Sequence, residues 1–177
     1  DFVVIDRLAH ASLVDACRLS RATFRVYPHG DVERLRALLA RRRGARRTLV
    51  VTESVFSMDG DLAPLPALWE AARAADAWLL VDDAHGTGVL GATGRGALEH
   101  CGMMPADGLI QMGTLSKALG SLGGFIAGSQ TLVDLLRNKA RSFIYTTALP
   151  PPAAAAALAA LRVVQEAPAL RQALWAR

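Results

Sequence analysis

The feature that most limits what this chain can fold into is a set of short runs with apolar interiors, set apart by helical patterns. DFVVID opens the chain, TLVVTES covers Thr48–Ser54 and WLLVDD covers Trp78–Asp83. None alternates between apolar and polar residues in its middle, and each turns polar or acidic at its end. DGLIQMGT, Asp107–Thr114, and GGFIAG are further strand-like runs. Between them, Val32, Leu35, Leu38 and Leu39 recur at helical spacing in VERLRALLARR, Val32–Arg42. LPALWEAARAADA, Leu65–Ala77, predicts an amphipathic helix with Pro66 near its start. TLVDLLRNKA predicts another helix. The alanine-rich stretch after LPPP predicts a long one to Gln165, with a prolyl start followed by strong helix formers. A strand without a polar face must be covered on both sides. The expected fold is therefore α/β, a mostly parallel sheet with helices on both faces.

In such sheets a ligand sits beyond the carboxyl ends of the strands. That rule selects Glu53–Ser57, Asp82–His85 and Thr114–Lys117. Composition leaves the choice to these segments. At 52% hydrophobic and 20% charged, the 177 residues are those of an ordinary globular chain with a sizeable core. The net charge of +4 owes much to RRRGARR, Arg41–Arg47. That run lies between a helix pattern and a strand pattern without interleaved aromatics, so it reads as a solvated link and no nucleic-acid partner is expected. Cys17 and Cys101 are far apart, lack metal-ligand spacing and fit a reducing compartment, so a cytoplasmic location is expected. There is no signal-peptide pattern and no apolar run long enough to span a bilayer, and no membrane partner is expected.

MGTLSKALGSLGG, Met112–Gly124, places Lys117 among glycines, serines and small apolar residues. Of the 20 lysines and arginines, only Lys117 and Lys139 are lysines, which leaves 18 arginines. An arginine would serve as a surface charge equally well. A lysine amine can lose its proton and attack a carbonyl. In VDDAHGTG, Asp82 and Asp83 end a strand and point in opposite directions, so one can face a ligand while the other braces a loop. His85 follows on the turn, where Gly86 and Gly88 permit a tight path. Asp and His also ligate metals, but no further cluster at recognisable spacing completes a site, and no metal is expected. GTLSKALG is not a nucleotide P-loop, because Ala118 follows Lys117 where Ser or Thr is required. An amine, a strand-end acid, an imidazole and nearby hydroxyls together suit pyridoxal 5′-phosphate (PLP). The aldehyde needs an amine, the pyridine nitrogen an acid, the ring hydroxyl a donor, and the phosphate hydroxyls and N–H groups. Thr114 can supply a phosphate contact. The acid precedes the lysine by 35 positions.

The chain resembles the α-oxoamine synthases, fold-type I PLP enzymes related to class II aminotransferases. The matching stretches are HASLVDACRLS, YPHGD, TESVFSMDGDLAPL, VDDAHGTGVLGATGRGALEH, GTLSKALGSLGGFIAG and LRNKARSFIYTTALPP, in the family's order along nearly the whole chain. The resemblance implies that Lys117 forms the Schiff base with the cofactor and later moves protons at the substrate α-carbon. It implies that Asp82 pairs with the pyridine nitrogen, that His85 and Ser57 act at the ring hydroxyl, and that Thr114 holds the phosphate. His10, on its residues alone a loop histidine before a helix, would stack on the ring and meet the substrate. Thr146 or Thr147 would reach the phosphate of a partner subunit's cofactor, which implies a homodimer. Glu53 is a brace for the site.

The implied reaction is a decarboxylative condensation of an amino acid with an acyl thioester. The wording of VDDAHGTG and GTLSKALGSLGG is most similar to the biotin-pathway member, which implies L-alanine and a pimeloyl group carried on CoA or acyl-carrier protein. Glycine with acetyl-CoA and serine with palmitoyl-CoA are the alternatives within the family. A basic, non-enzymatic binding module is the alternative outside it, and retention of both Lys117 and Asp82 speaks against that. Residues 1–177 are expected to be the central part of the large PLP-binding domain of a longer protein, without the N-terminal segment and the small C-terminal domain. The excerpt by itself is expected to be inactive.

Overall fold

The computed structural model describes residues 1–42 and 44–177; Arg43, within the basic run, lies outside the described residues. The described strands are β1 (Phe2–Asp6), β2 (Thr23–Tyr27), β3 (Thr48–Glu53), β4 (Trp78–Asp82), β5 (Leu109–Thr114) and β6 (Gly124–Ala127). They form one sheet in the order β2-β1-β3-β4-β5-β6. β2 pairs with β1, β1 with β3 and β3 with β4, all parallel. The helices are α1 (Ala11–Leu19), α2 (Val32–Ala40), α3 (Leu65–Ala74), α4 (Ala97–His100), α5 (Gln130–Lys139), α6 (Arg141–Ile144), α7 (Pro151–Glu166) and α8 (Pro168–Trp175). The α/β, mostly parallel fold expected from the apolar runs is the one found. Among the described residues, no single helix is long and apolar enough to cross a membrane.

Contacts divide the chain into two compact units, one of residues 1–82 and 107–111, the other of 83–106 and 112–177. In the first unit β1, β3 and β4 bury both faces. Val3, Ile5 and Val51 pack with Ala9, Leu13 and Cys17, so α1 covers that side. The alternate residues Val4, Val50, Leu79 and Val81 are also buried and face the other way. Helices α2 and α3 pack on each other and against β1, β2 and β4, burying Leu35, Leu39, Leu65 and Leu68. Each such side chain contributes about 1.5–3 kcal/mol when fully removed from water.

Two local departures from the sequence reading have physical causes. The helix expected to reach Ala77 ends at Ala74. Asp76 takes a left-handed backbone (φ 45°), and the N–H of Ala77 turns back to the carbonyl of Ala72 at 2.9 Å, which redirects the chain into β4. Strand β2, TFRVY, was not expected. It lies at the sheet edge, carries Arg25, and buries only Tyr27, so it lacks the apolar interior that marks the other strands of its unit.

In the second unit α7 begins at Pro151, as the prolyl start predicts. Ser121 Oγ donates to the carbonyl of Ala153 at 2.7 Å and Trp175 Nε1 to that of Val89 at 3.1 Å. The backbones of Gly113 and β6 lie close together. A Cβ on Gly113 would stand 2.4 Å from the ring of Phe125.

Candidate active site

Within the first unit, parallel strands β1, β3 and β4 each end in a buried acid: Asp6, Glu53 and Asp82. Asp82 is 5% exposed and stands beside Glu53 in the strand register. The N–H of Ser54 donates to the Asp82 carbonyl at 2.8 Å, which ties the chain after β3 to the end of β4. Glu53 is 3% exposed. Burial pushes its carboxyl above the ordinary range; the nearby Asp82 pushes the same way, and hydrogen bonds from the backbone N–H groups of His10 and Ser57 pull against it. Among the described residues its Oε1 has no hydrogen-bond partner. Glu53 thus braces the backbone at two residues singled out for the cofactor, His10 and Ser57.

His10 is the N-cap of α1, exposed, with Nδ1 accepting the N–H of Ser12 at 3.3 Å. In the neutral ring that leaves the proton on Nε2. Both readings of this residue therefore keep their ground: it is the histidine at a helix start, and its other nitrogen remains a donor. Ser57 is exposed on a hairpin closed by the antiparallel bridge Val55–Leu62 and by Phe56 N–H to the Asp61 carbonyl at 3.0 Å.

Sequence reading gave His29 no role, yet it joins elements here. Its Nδ1 lies 3.1 Å from Asp6 Oδ1 and its Nε2 2.8 Å from Asp61 Oδ2. No spacing rule finds this, because the partners are 23 and 32 residues away.

In the second unit Asp83 is the bracing acid of the pair. It accepts from Thr87 Oγ1 at 3.1 Å and from the N–H of Ala97 at 3.1 Å, and its own N–H donates to the carbonyl of Met112 at 2.7 Å. Gly86 fits against it, since a Cβ there would lie 2.1 Å from Asp83 Oδ1. His85 is half-buried on the same turn. Glu99 closes the loop by accepting from the N–H groups of Thr93 and Arg95. Although burial alone would raise its carboxyl, those hydrogen bonds hold it below the usual range.

Thr114 ends β5. Its Oγ1 donates to the carbonyl of Gly123 at 3.1 Å and accepts the N–H of Ser116 at 3.2 Å. Lys117 follows on an exposed turn closed by Gly120 N–H to its carbonyl at 3.0 Å. Thr146 and Thr147 lie on an exposed segment after α6. Among the described residues no group of three or more His, Cys, Asp or Glu side chains is arranged to hold a metal ion.

The donor set suits PLP by its chemistry: a buried strand-end carboxylate, a primary amine on a glycine-rich turn, imidazoles at His10 and His85, and hydroxyls at Ser57 and Thr114.

The family described as aminotransferase class I and II matches residues 1–177. The 8-amino-7-oxononanoate synthase of Methylococcus capsulatus is 56% identical over 174 residues, taking in 98% of this chain and 45% of that protein. The enzyme of that name from Geobacter sulfurreducens is 58% identical over 176 residues, with the same coverage. The chain thus spans less than half the length of these curated relatives. Among solved structures, a serine palmitoyltransferase variant from S. paucimobilis with bound PLP and myriocin superimposes with a TM-score of 0.94 at 35% identity, covering 99% of this chain and 44% of that one. The 8-amino-7-oxononanoate synthase from Francisella tularensis gives a TM-score of 0.82 at 33% identity, covering 97% and 49%.

Proposed function

The chain belongs to the class I and II aminotransferase family, in its α-oxoamine synthase branch, and from that premise we propose that the whole protein is a PLP-dependent 8-amino-7-oxononanoate synthase. The observation that carries the reading is the buried carboxylate of Asp82 at the carboxyl end of β4, where a parallel sheet presents its ligand groups. The reaction joins the α-carbon of L-alanine to the carbonyl carbon of a pimeloyl thioester. The thiol of CoA or of acyl-carrier protein leaves, the alanine carboxyl departs as carbon dioxide, and a proton is delivered to the former α-carbon.

When bound, PLP supplies the electron-accepting ring that makes an amino-acid α-carbon acidic. The chain's own residues do the rest. Asp82 keeps a proton on the ring nitrogen by charge. His85 and Ser57 orient the ring hydroxyl, and Thr114 holds the phosphate. His10, the N-cap of α1, would cover a ring face. Lys117 would hold the aldehyde carbon of the cofactor and would take up and return the proton at the α-carbon. Thr146 or Thr147 would reach the phosphate in a partner subunit, which makes the working enzyme a homodimer.

The serine palmitoyltransferases superimpose with the higher TM-scores, but backbone likeness is shared across one family and does not select a substrate. Side-chain identity does bear on it. The two solved structures, at 35% and 33%, do not separate the activities, but the curated relatives at 56–58% carry the synthase name, which supports alanine and a pimeloyl thioester. The experiment is reconstitution of the full-length protein with PLP. Lys117→Ala should lose the visible absorption of the bound cofactor and collapse turnover. A competition of alanine, glycine and serine against acetyl, pimeloyl and palmitoyl thioesters then identifies the substrate. One methylene in an apolar pocket discriminates by only about 1–3 kcal/mol, so alanine is expected to win with some leakage to the other two. A variant that kept both absorption and turnover would remove Lys117 from its role. Preference for serine and palmitoyl thioester would overturn the pathway alone.

A further inference from the structure

Asp6 ends β1 and fixes the turn toward His10. Its carbonyl accepts the N–H of Ala9 at 3.2 Å and its Oδ1 the N–H of Leu8 at 2.8 Å. Its Oδ2 accepts the N–H of Gly30, in the loop that leads to α2, at 3.1 Å. Asp61 sits on the hairpin that carries Ser57 and is half-exposed. His29 stands between these acids, with one carboxylate on each ring nitrogen, and its ring meets that of Phe56 edge-on at 4.3 Å. Phe56 is buried, so the hairpin base is held by packing while its rim depends on polar contacts.

Two carboxylates on one imidazole set a condition on its protonation. A neutral ring has one donor and one acceptor nitrogen, so it can satisfy only one of the two acids. The doubly protonated ring donates to both. Asp6 and Asp61 are the charged groups that face it. Partial burial opposes the charge, but the hydrogen bonds to Asp61 and Asp6 outweigh that and hold the imidazole above its usual value.

We propose that Asp6, His29 and Asp61 form a protonation-dependent strap that holds the His10 turn and the Ser57 hairpin in fixed relation. His29 is then a positioning residue for the proposed cofactor site. The effect on the cofactor rests on the PLP reading; the strap itself does not. Its sign follows from linkage. Because the folded imidazole titrates above the unfolded one, the strap is complete below the unfolded value and is lost as pH rises through the folded value.

The test uses the full-length protein and three readouts. Titration of the His29 ring carbons by NMR should give a midpoint above that of an unperturbed histidine, about 6.5. Asp61→Asn should lower that midpoint, and Asp61→Glu should restore it. A wild-type midpoint at or below the unperturbed value, or one unmoved by Asp61→Asn, overturns the strap. Amide exchange gives the second readout. In His29→Gln the N–H groups of Phe56 and Gly60 should exchange about tenfold faster than in wild type near pH 6, with the difference vanishing near pH 9. Equal exchange in both proteins at both pH values overturns it. The third is PLP retention, expected to be about tenfold weaker in His29→Gln near pH 6 and equal near pH 9. Equal retention at both overturns the positioning role. Wild-type protein that takes up no PLP would sink the cofactor reading instead, and the strap would then stand or fall on titration and exchange.

Discussion

Glu53 keeps a carboxyl group where water hardly reaches it, next to Asp82 on the neighbouring strand. Its titration in the folded protein lies above the ordinary value, chiefly through burial. Folded protein therefore holds this proton to higher pH than unfolded protein does. Stability must fall as pH rises from the unfolded value through the folded one, because the buried charge forms only at a cost. Glu53→Gln cannot titrate. The unfolding free energy of the variant minus that of wild type should grow in the variant's favour across that window, measured by urea denaturation at a series of pH values. A difference that does not vary with pH would mean that Glu53 titrates alike in both states. Asp82 and Glu53 were legible in the sequence, since each ends an apolar run. The strap at His29 was not, since its members meet only after three loops have folded together.

Among the elements, α3 gives the plainest case of pattern turned into packing. Its apolar residues fall on one side, and Leu68 is 0% exposed. Leu68→Ala should cost about 2–5 kcal/mol, the lost transfer energy plus the cavity left behind. Leu19, at the end of α1, is 82% exposed. Leu19→Ala should therefore change stability by less than about 0.5 kcal/mol. Chemical denaturation of the two variants with unchanged slope checks both. Comparable losses would show that the periodicity of α3 misplaces its core face. Periodicity found this helix but not its end, because a left-handed Asp76 leaves no mark in apolar spacing. Edge strand β2 escaped for the opposite reason: paired on one side alone among the described strands and largely exposed, it needs no continuous apolar run.

At the scale of the whole molecule, the proposed homodimer makes a prediction that no single chain can. If Thr146 and Thr147 serve the partner's cofactor while Lys117 serves its own, the two lesions of a mixed dimer fall in the same site and spare the other. Mixing inactive Lys117→Ala subunits with Thr146→Ala/Thr147→Ala subunits would then create dimers with one intact site. With random exchange, about a quarter of wild-type turnover should return, as expected of a two-fold oligomer. Activity that stays at the level of the separate variants would confine the threonines to their own subunit's site or to none. Enzyme assay after subunit exchange decides between them.

The sequence by itself determined the layered α/β plan, the strand ends that carry acids, and the turn that carries Lys117. Those follow from local pattern: a strand without a polar face has to be covered, and its polar residues collect where it stops. It also presented Asp82 and Asp83 as a pair with divided tasks, though it did not say which acid braces the loop. The tertiary structure decided that, by bringing the N–H of Ala97 to Asp83. It alone joined His29 to Asp6 and Asp61. The physical reason is common to both. A side-chain hydrogen bond across 14, 23 or 32 residues depends on which strand ends and loops the fold makes neighbours, and chain spacing carries no record of that.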